Sequence, residues 1–120
     1  MILLDSNIFI YLASGTLDRH LITGKDIAHA SITKIESLGF TRIQANELLL
    51  LEALFSESYN LSLTDDVVER ATKLRQAKNM SLGDAIVAAT ALEQNYELWT
   101  ANEDDFTHIE GLRIRNPLKS

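Results

Sequence analysis

Hydrophobic and polar positions along this chain follow two different periods. The apolar run at residues 1–4 stops abruptly at Asp5, which is typical of a buried strand in a parallel sheet. Farther along, apolar residues recur three or four positions apart over longer segments, which is the period of a helix. The alternation of such strands and helices predicts an α/β fold with a parallel sheet and right-handed crossovers.

The pattern predicts about five short strands, each followed or preceded by a helix. The strands are predicted at residues 1–4, 26–30, 59–63, 97–100 and 112–115. The helices are predicted at residues 8–12, 17–22, 31–38, 41–57, 65–79 and 81–95. Ser6 or Asn7 is expected to cap the first helix, and Thr64 is expected to cap the helix at residues 65–79. Short polar side chains accept hydrogen bonds from the exposed N–H groups at the start of a helix.

Composition limits the class of protein. With 120 residues and 46% hydrophobic content, the chain is expected to form one domain over residues 1–120. The formal net charge of -6 argues against a passive nucleic-acid binder, since such proteins present a basic surface. Cysteine is absent from the sequence, which excludes a disulfide framework and a thiolate zinc site. No apolar run reaches the roughly 18 residues of a membrane span, so we expect a cytoplasmic protein without a membrane segment.

Acidic residues stand where the predicted strands and helices meet. Asp5, Glu36, Asp84 and the pair Asp104 and Asp105 all fall near such junctions. In open α/β sheets, ligands bind at the edge formed by the carboxyl ends of the strands. Mg²⁺ prefers hard oxygen ligands, and convergent carboxylates hold it while leaving positions open for a phosphodiester. The pattern therefore predicts a site for a divalent metal.

Several of these acids also have a simpler explanation. Three segments match the capping box, in which a Ser or Thr and an acid three residues later satisfy exposed helical N–H groups. The segments are 33–36, 81–84 and 100–103. For any single acid, capping is the more common role. The joint pattern favours metal, especially since Asp84 precedes an almost entirely apolar helix, where an unpaired carboxylate is costly.

The histidines do not have the spacing of a metal site. His20, His29 and His108 are far apart in sequence and are interpreted as surface or packing residues. A metal-dependent hydrolase needs no histidine, because the metal itself activates water.

Four sequence blocks resemble the PIN-domain ribonucleases, particularly the short VapC-type toxins of bacteria and archaea. The blocks are LDSNIFI at 4–10, SITKIE at 31–36, LGDAIVAATA at 82–91 and LWTANEDDF at 98–106. They span nearly the whole chain in the family's order, and the first and third are the more specific. The resemblance implies a Rossmann-like, three-layer PIN domain with a central parallel sheet of about five short strands flanked by helices.

The resemblance also implies an activity and its acidic residues. The activity is that of an endoribonuclease, which hydrolyses RNA phosphodiester bonds with Mg²⁺ or Mn²⁺. Asp5, Glu36 and Asp84 match the family's catalytic metal ligands.

Small polar residues of the same blocks match positions that often line the pocket in the family. They are Ser6, Asn7 and Thr100, and the resemblance implies that they position the substrate.

The fourth acidic ligand departs from the family pattern. Many relatives carry an acid two residues after the threonine, where this chain has Asn102. An amide oxygen can coordinate a hard cation but adds no charge. Asp104 or Asp105 can supply the missing acid from the next turn. We favour Asp105 as the catalytic and metal-binding residue, because the adjacent Phe106 is expected to anchor that turn in the core.

Partners are implied as well. The family's toxins pair with a small antitoxin that lays apolar and basic residues against the enzyme, and homodimers are common. The wide apolar face at residues 48–54 can meet such a partner or simply belong to the core. The cations in residues 70–78, together with Arg113 and Arg115, can contact RNA phosphates or form ordinary surface ion pairs.

Other functions fit parts of the sequence. A housekeeping RNA-processing nuclease, or a degenerate PIN domain that only binds RNA or protein, would share the same blocks. A haloacid-dehalogenase-like phosphatase would use Asp5 as a nucleophile but needs a second acid where this chain has Asn7. A receiver domain would need an acidic pair near the first strand and a lysine after the last strands, and neither is evident.

Overall fold

The predicted strands pair in one parallel sheet. The computed structural model describes residues 1–119. Its strands are β1 (Ile2–Leu4), β2 (Ile27–Ala30), β3 (Tyr59–Leu61), β4 (Glu97–Trp99) and β5 (Ile114–Arg115). Its α-helices are α1 (Ser6–Ser14), α2 (Ser31–Leu38), α3 (Ala45–Ser56), α4 (Asp65–Ala77) and α5 (Leu82–Gln94), with 3-10 helices at Arg19–Ile22 and Glu103–Asp105. The predicted α/β class with about five short parallel strands is confirmed.

The strand order places β1 at the centre of the sheet. The order is β3-β2-β1-β4-β5, and Ile2 of β1 is in register with Ile27 of β2 on one side and Glu97 of β4 on the other. The chain therefore adds β2 and β3 on one side of β1 and later adds β4 and β5 on its other side. Such a reversal is a topological switch point, and ligands bind there at the carboxyl ends of the strands. Asp5 and Thr100 stand at those ends of β1 and β4.

Helices cover both faces of the sheet. On one face, α4 and α5 form a core with Leu3 and Leu98. On the other, α1 and α3 form a core with Leu4, Phe9 and Trp99. Because α2 packs against α1, α3 and α5, it links the two layers. Within residues 1–119, no helix is long and apolar enough to cross a membrane.

Two predicted helix starts are wrong in detail. The cap of α1 is Asp5 rather than Ser6 or Asn7, because Asp5 is still extended and its carboxylate accepts the N–H of Ser6. The third helix begins after Gln44 rather than at residue 41. There the carboxylate of Glu47 accepts the backbone N–H of Gln44 at 3.5 Å, which marks the first turn.

The predicted capping boxes are mostly wrong. Ser81 does cap α5, since its hydroxyl accepts the backbone N–H of Asp84 at 3.1 Å. Thr33 lies inside α2, and Thr100 lies three residues before Glu103, the first residue of the 3-10 helix, whose cap is Asn102, so neither threonine is the cap residue of its helix. Capping therefore does not explain Glu36.

Candidate active site

Asp5 is the centre of a hydrogen-bond network at the switch point. It directly follows the central strand and is only 5% exposed. Its carboxylate accepts hydrogen bonds from the backbone N–H of Ser6 and the hydroxyl of Thr100, each at 2.9 Å. The side-chain amide of Asn7 donates a longer one, at 3.3 Å. These three donors fix the carboxylate at the end of β1.

Asn7 and Thr100 also tie the end of β1 to the end of β4. The Oδ1 of Asn7 accepts the backbone N–H of Ala101 at 3.0 Å. The Oγ1 of Thr100, which is fully buried, accepts the backbone N–H of Asn102 at 3.1 Å. These contacts make both side chains positioning residues for Asp5. Their contact with substrate, like that of Ser6, stays a prediction.

Glu36 reaches toward this network from α2. A β-carbon built on Gly83 of α5 would lie 2.7 Å from Oε2 and 3.0 Å from Oε1 of Glu36, so the carboxylate rests against the glycine. Loss of part of its water shell raises the pKa of Glu36, and the charges of Asp5 and Asp84 raise that pKa further. The three carboxylates therefore lie near enough to repel one another.

Asp84 and Asp105 extend this acidic cluster. Asp84 lies in the first turn of α5, where desolvation raises its pKa, a hydrogen bond with Ser81 partly offsets that rise, and the charges of Asp5 and Asp105 add to it. Burial also raises the pKa of Asp5, and the charge of Asp105 contributes to that rise. The structure thus brings together Asp5, Glu36, Asp84 and Asp105 at one edge of the sheet.

The three candidates for the fourth ligand, Asn102, Asp104 and Asp105, are all exposed, and Asp104 lines the same cleft as Asp105. Charge, rather than exposure, distinguishes Asp105 from the other two. The charge of Asp104 acts on Lys119, near the end of the chain, whereas that of Asp105 acts on the acidic cluster. Phe106 is fully buried, as predicted, and so anchors the turn that carries Asp105.

The donor chemistry of this cluster fits a divalent cation. Carboxylate oxygens are hard ligands, and the raised pKa values of Asp5, Glu36 and Asp84 reflect burial and repulsion that a cation would relieve. Within residues 1–119, however, no three such side chains converge closely enough to enclose an ion as they stand. Metal binding therefore requires the carboxylates to draw together.

The histidines have different surroundings. His29 packs against the rings of Phe9 and Phe55, at centroid distances of 5.9 and 4.8 Å, and its burial lowers its pKa to about 4. It is a packing residue, and His20 is an exposed surface residue, as both were interpreted. His108 is also exposed, but it lines a cleft beside Asp84.

That cleft joins the acidic cluster to the connection between α4 and α5. It has a volume of about 580 Å³, and its charged lining consists of Asp84, Asp104 and Asp105 together with Arg75 and Lys78. Negative and positive side chains therefore share one concave surface.

Two residues that shape the site have no role in the sequence-based prediction. Asn116, which is 9% exposed, donates to the carbonyl of Ala101 at 3.4 Å and to Glu103 at 3.1 Å, so it holds the segment after β4. Gly83 leaves the space that Glu36 occupies. A glycine inside a helix costs about 1 kcal/mol relative to alanine, so its presence there is a readable sign of close approach. No comparable signal marks Asn116.

Comparison with protein-family models matches residues 2–112 of the chain to the PIN domain. The chain belongs to the PIN-domain family. The resemblance inferred from the four sequence blocks is thereby confirmed. PIN domains are generally nucleases, and PIN nucleases generally use divalent metals. A comparison with curated protein sequences gives no match.

Solved structures similar to this PIN domain include several toxin–antitoxin complexes. One from Klebsiella pneumoniae is 29% identical, with a TM-score of 0.81 and 98% of each chain covered. VapBC2 from Rickettsia felis, bound to a promoter DNA fragment, is 21% identical, with a TM-score of 0.81 and 97% and 98% covered. VapBC-1 from nontypeable Haemophilus influenzae is 22% identical, with a TM-score of 0.79 and 99% and 100% covered. The last two are similar in fold alone.

We expect Gly83→Ala to lower nuclease activity without lowering stability. Alanine favours the helix by about 1 kcal/mol, while its methyl group displaces the flexible end of Glu36, which can turn away into solvent. Urea unfolding and an RNA cleavage assay measure the two effects. Gln94→Ala, at the far end of the same helix, is the matched control. Loss of stability in Gly83→Ala, or full activity, would contradict the prediction.

Proposed function

We propose that residues 1–120 form a single PIN domain that acts as a Mg²⁺- or Mn²⁺-dependent endoribonuclease in the cytoplasm. The observation that carries the proposal is the gathering of Asp5, Glu36, Asp84 and Asp105 at the switch point of the sheet, where neighbouring acidic charges help to raise the pKa values of Asp5, Glu36 and Asp84. Asp5 is buried and Asp84 is half-buried, and a repelling charge beside either carboxylate is unfavourable in the absence of a counter-charge. Divalent metal supplies that charge.

In this proposal the four carboxylates hold the metal, and Asn102 can add an uncharged oxygen. When bound, the metal lowers the pKa of a water molecule and stabilises the charge that develops on the scissile phosphate. Thr100 and Asn7 keep Asp5 in place through their hydrogen bonds. Because Asp5 is bound by three donors before any ligand arrives, one side of the site is preorganised. The other side of the site can move, because Glu36 has a long, exposed side chain.

Cleavage of single-stranded RNA by the purified protein tests this function. We expect cleavage with Mn²⁺ or Mg²⁺ and none in the presence of a chelator, with activity restored when the metal is returned. RNA that stays intact at every metal concentration would favour the alternative of a degenerate PIN domain that only binds RNA or protein.

The proposed biological role is that of a toxin held in check by a small antitoxin. The likeness to the Klebsiella pneumoniae toxin–antitoxin complex supports this role. Exposed apolar side chains on the packed helices α1–α3 are also available to a partner; they are Ile10, Ile35, Leu49 and Leu50. In the leucine-rich segment, Leu51 and Leu54 are buried, so that segment serves the core on one face and offers apolar surface on another. A homodimer would use the same kind of surface.

Expression in a bacterial host tests the toxin role. We expect growth arrest with loss of translation, and relief when a small protein encoded beside this gene is expressed with it. Unaffected growth in cells that contain demonstrably active enzyme would favour a housekeeping RNA-processing nuclease.

We expect Asp105→Asn to raise the Mn²⁺ concentration needed for half-maximal cleavage by roughly tenfold or more, because loss even of a residue that only supports a metal ligand costs about that much in affinity. Asp104→Asn should change it little, because the charge of Asp104 acts on Lys119 rather than on the cluster. Asn102→Ala should have a small effect, since an amide adds no charge. A Mn²⁺ titration of each variant measures these effects. A large effect for Asn102→Ala, with none for either aspartate, would contradict an acidic fourth ligand.

A further inference from the structure

We infer that Lys78, with Arg75 beside it, forms a phosphate-binding subsite that holds the RNA backbone on the α4–α5 side of the acidic cluster. The inference rests on the proposed ribonuclease function and specifies where the substrate lies. Both cations line the cleft of about 580 Å³ that also contains Asp84 and Asp105. A strand that places one phosphate at the carboxylates therefore passes these cations with a neighbouring phosphate.

The four cations of residues 70–78 divide into two pairs with different contacts. Arg70 forms an ion pair with Glu93, and Lys73 forms one with Glu69 at 3.4 Å. These two lie in a separate groove with Asp66. Arg75 and Lys78 form no ion pair with any carboxylate of residues 1–119. Only the second pair lies beside the acidic cluster, so the sequence run is not one uniform basic patch.

Arg75 and Lys78 are held differently. The Nε of Arg75 donates to the carbonyl of Met80 at 3.1 Å, across the connection between α4 and α5. Lys78 caps the end of α4 in an extended conformation, and its side chain is exposed. Arg75 therefore fixes the connection that leads into Asp84, while Lys78 is exposed to solvent.

Charge explains why this protein needs such a subsite. The chain carries a formal net charge of -6, and its acidic cluster repels phosphates until metal is bound. Two cations near the end of the chain are engaged elsewhere: Lys119 pairs with Glu103, and the guanidinium of Arg115 lies over the ring of Trp99. Unpaired cations next to the metal ligands give RNA a favourable contact that does not depend on the metal. Phosphate contacts of this kind position the strand without reading its sequence.

The salt dependence of RNA binding tests the subsite. The probe is a fluorescein-labelled single-stranded oligouridylate, and the background is Glu36→Gln, which keeps the RNA intact with Mn²⁺ present if the proposed function is right. We expect the added change Lys78→Gln to reduce the slope of log K against log salt by about 0.7, the value for one phosphate contact on a single strand. Lys73→Gln, a lysine of the same helix within the other groove, should leave the slope unchanged. Arg75 is not substituted, because its bond to Met80 supports the fold near Asp84.

Each outcome separates the subsite from the activity. A smaller slope for Lys78→Gln alone supports the subsite, even if the unmodified protein fails to cleave RNA and the ribonuclease proposal is lost. Equal slopes for both variants, whether reduced or unchanged, overturn the subsite even if the unmodified protein cleaves RNA. In the otherwise unmodified enzyme, Lys78→Gln should raise KM for oligouridylate with little change in kcat, which a loss of fold would not do.

Discussion

Replacing Asp84 by asparagine is expected to abolish RNA cleavage while leaving the metal-free protein as stable as before, or slightly more stable. A bound metal contributes several kcal/mol to a phosphoryl transition state, so loss of a ligand should lower kcat by about a thousandfold or more. The stability result follows from the raised pKa of Asp84, because desolvation and the charges of Asp5 and Asp105 disfavour its ionised form. Asparagine has nearly the same shape and no charge.

A matched control separates this effect from the ordinary role of an acid in a helix. Asp66 lies in the first turn of α4, as Asp84 does in α5, so both interact favourably with a helix N-terminus. We expect Asp66→Asn to retain full activity and to lose a few tenths of a kcal/mol at most. Steady-state cleavage assays and urea unfolding of both variants measure the difference. A strong loss of stability in Asp84→Asn, together with residual cleavage, would favour the capping explanation.

Asp5 is a less clean test than Asp84. Its carboxylate accepts three hydrogen bonds and caps α1, so an asparagine there leaves at least one donor facing an amide N–H. Burial and the charge of Asp105 disfavour the ionised form of Asp5, so the loss of that charge offsets part of the lost hydrogen bonding. We therefore expect Asp5→Asn to be inactive and also to lose some stability. The structure therefore sets Asp5→Asn apart from Asp84→Asn.

The sequence predicts most of the fold because the strands and helices have clear local signals. The apolar run before Asp5 and the alanine-rich run after Asp84 are each bounded by polar residues. The predicted ends of this strand and this helix therefore lie within about two residues of the observed ones. The predicted start of α3 is too early, because residues 41–44 have a composition that suits either a helix or a loop. Asp5 is missed as the cap because one residue both ends the strand and begins the next helix.

The site is harder to predict because its contacts join distant segments. That Glu36 faces the cluster depends on how α2 packs against α5, and the space for it is created by Gly83. The choice between Asp104 and Asp105 depends on the rotation of one short 3-10 helix. Neither feature has a period or a motif in the sequence. Gly83 is the exception, because a glycine inside a predicted helix can be recognised in the sequence as a sign of close contact.

Divalent metal is expected to stabilise this protein strongly at neutral pH and weakly at acidic pH. A metal that binds only the folded state at a hundredfold excess over its Kd adds about 2.7 kcal/mol to the free energy of unfolding. The ordinary pKa values of Asp5, Glu36 and Asp84 are 3.8, 4.5 and 3.8, and all three are raised in the folded protein. Protons therefore compete with metal as the pH falls toward these raised values, and the stabilisation declines.

In the metal-free protein, the same carboxylates make stability change with pH in the opposite direction. A carboxyl group with a raised pKa contributes stability below its ordinary value, and that contribution is lost as the pH rises through the raised value. His29 acts against this trend, because its pKa falls from 6.5 to about 4 in the folded state, so its contribution appears as the pH rises through that interval. The raw pH profile is therefore a sum of opposing effects.

The difference between urea unfolding with and without Mn²⁺ isolates the carboxylates at each pH. The pKa of His29 is lowered by burial and by Lys34, and none of the four carboxylates contributes to that shift, so we expect its titration to be the same in both measurements and to cancel. We expect a Mn²⁺-dependent gain near pH 7.5 that shrinks steadily toward pH 5 and is nearly absent at both values in Asp84→Asn. Asp66→Asn should keep the full gain. An equal gain at both pH values, or one that survives in Asp84→Asn, would mean that the ion binds elsewhere and that the acidic cluster is not the metal site.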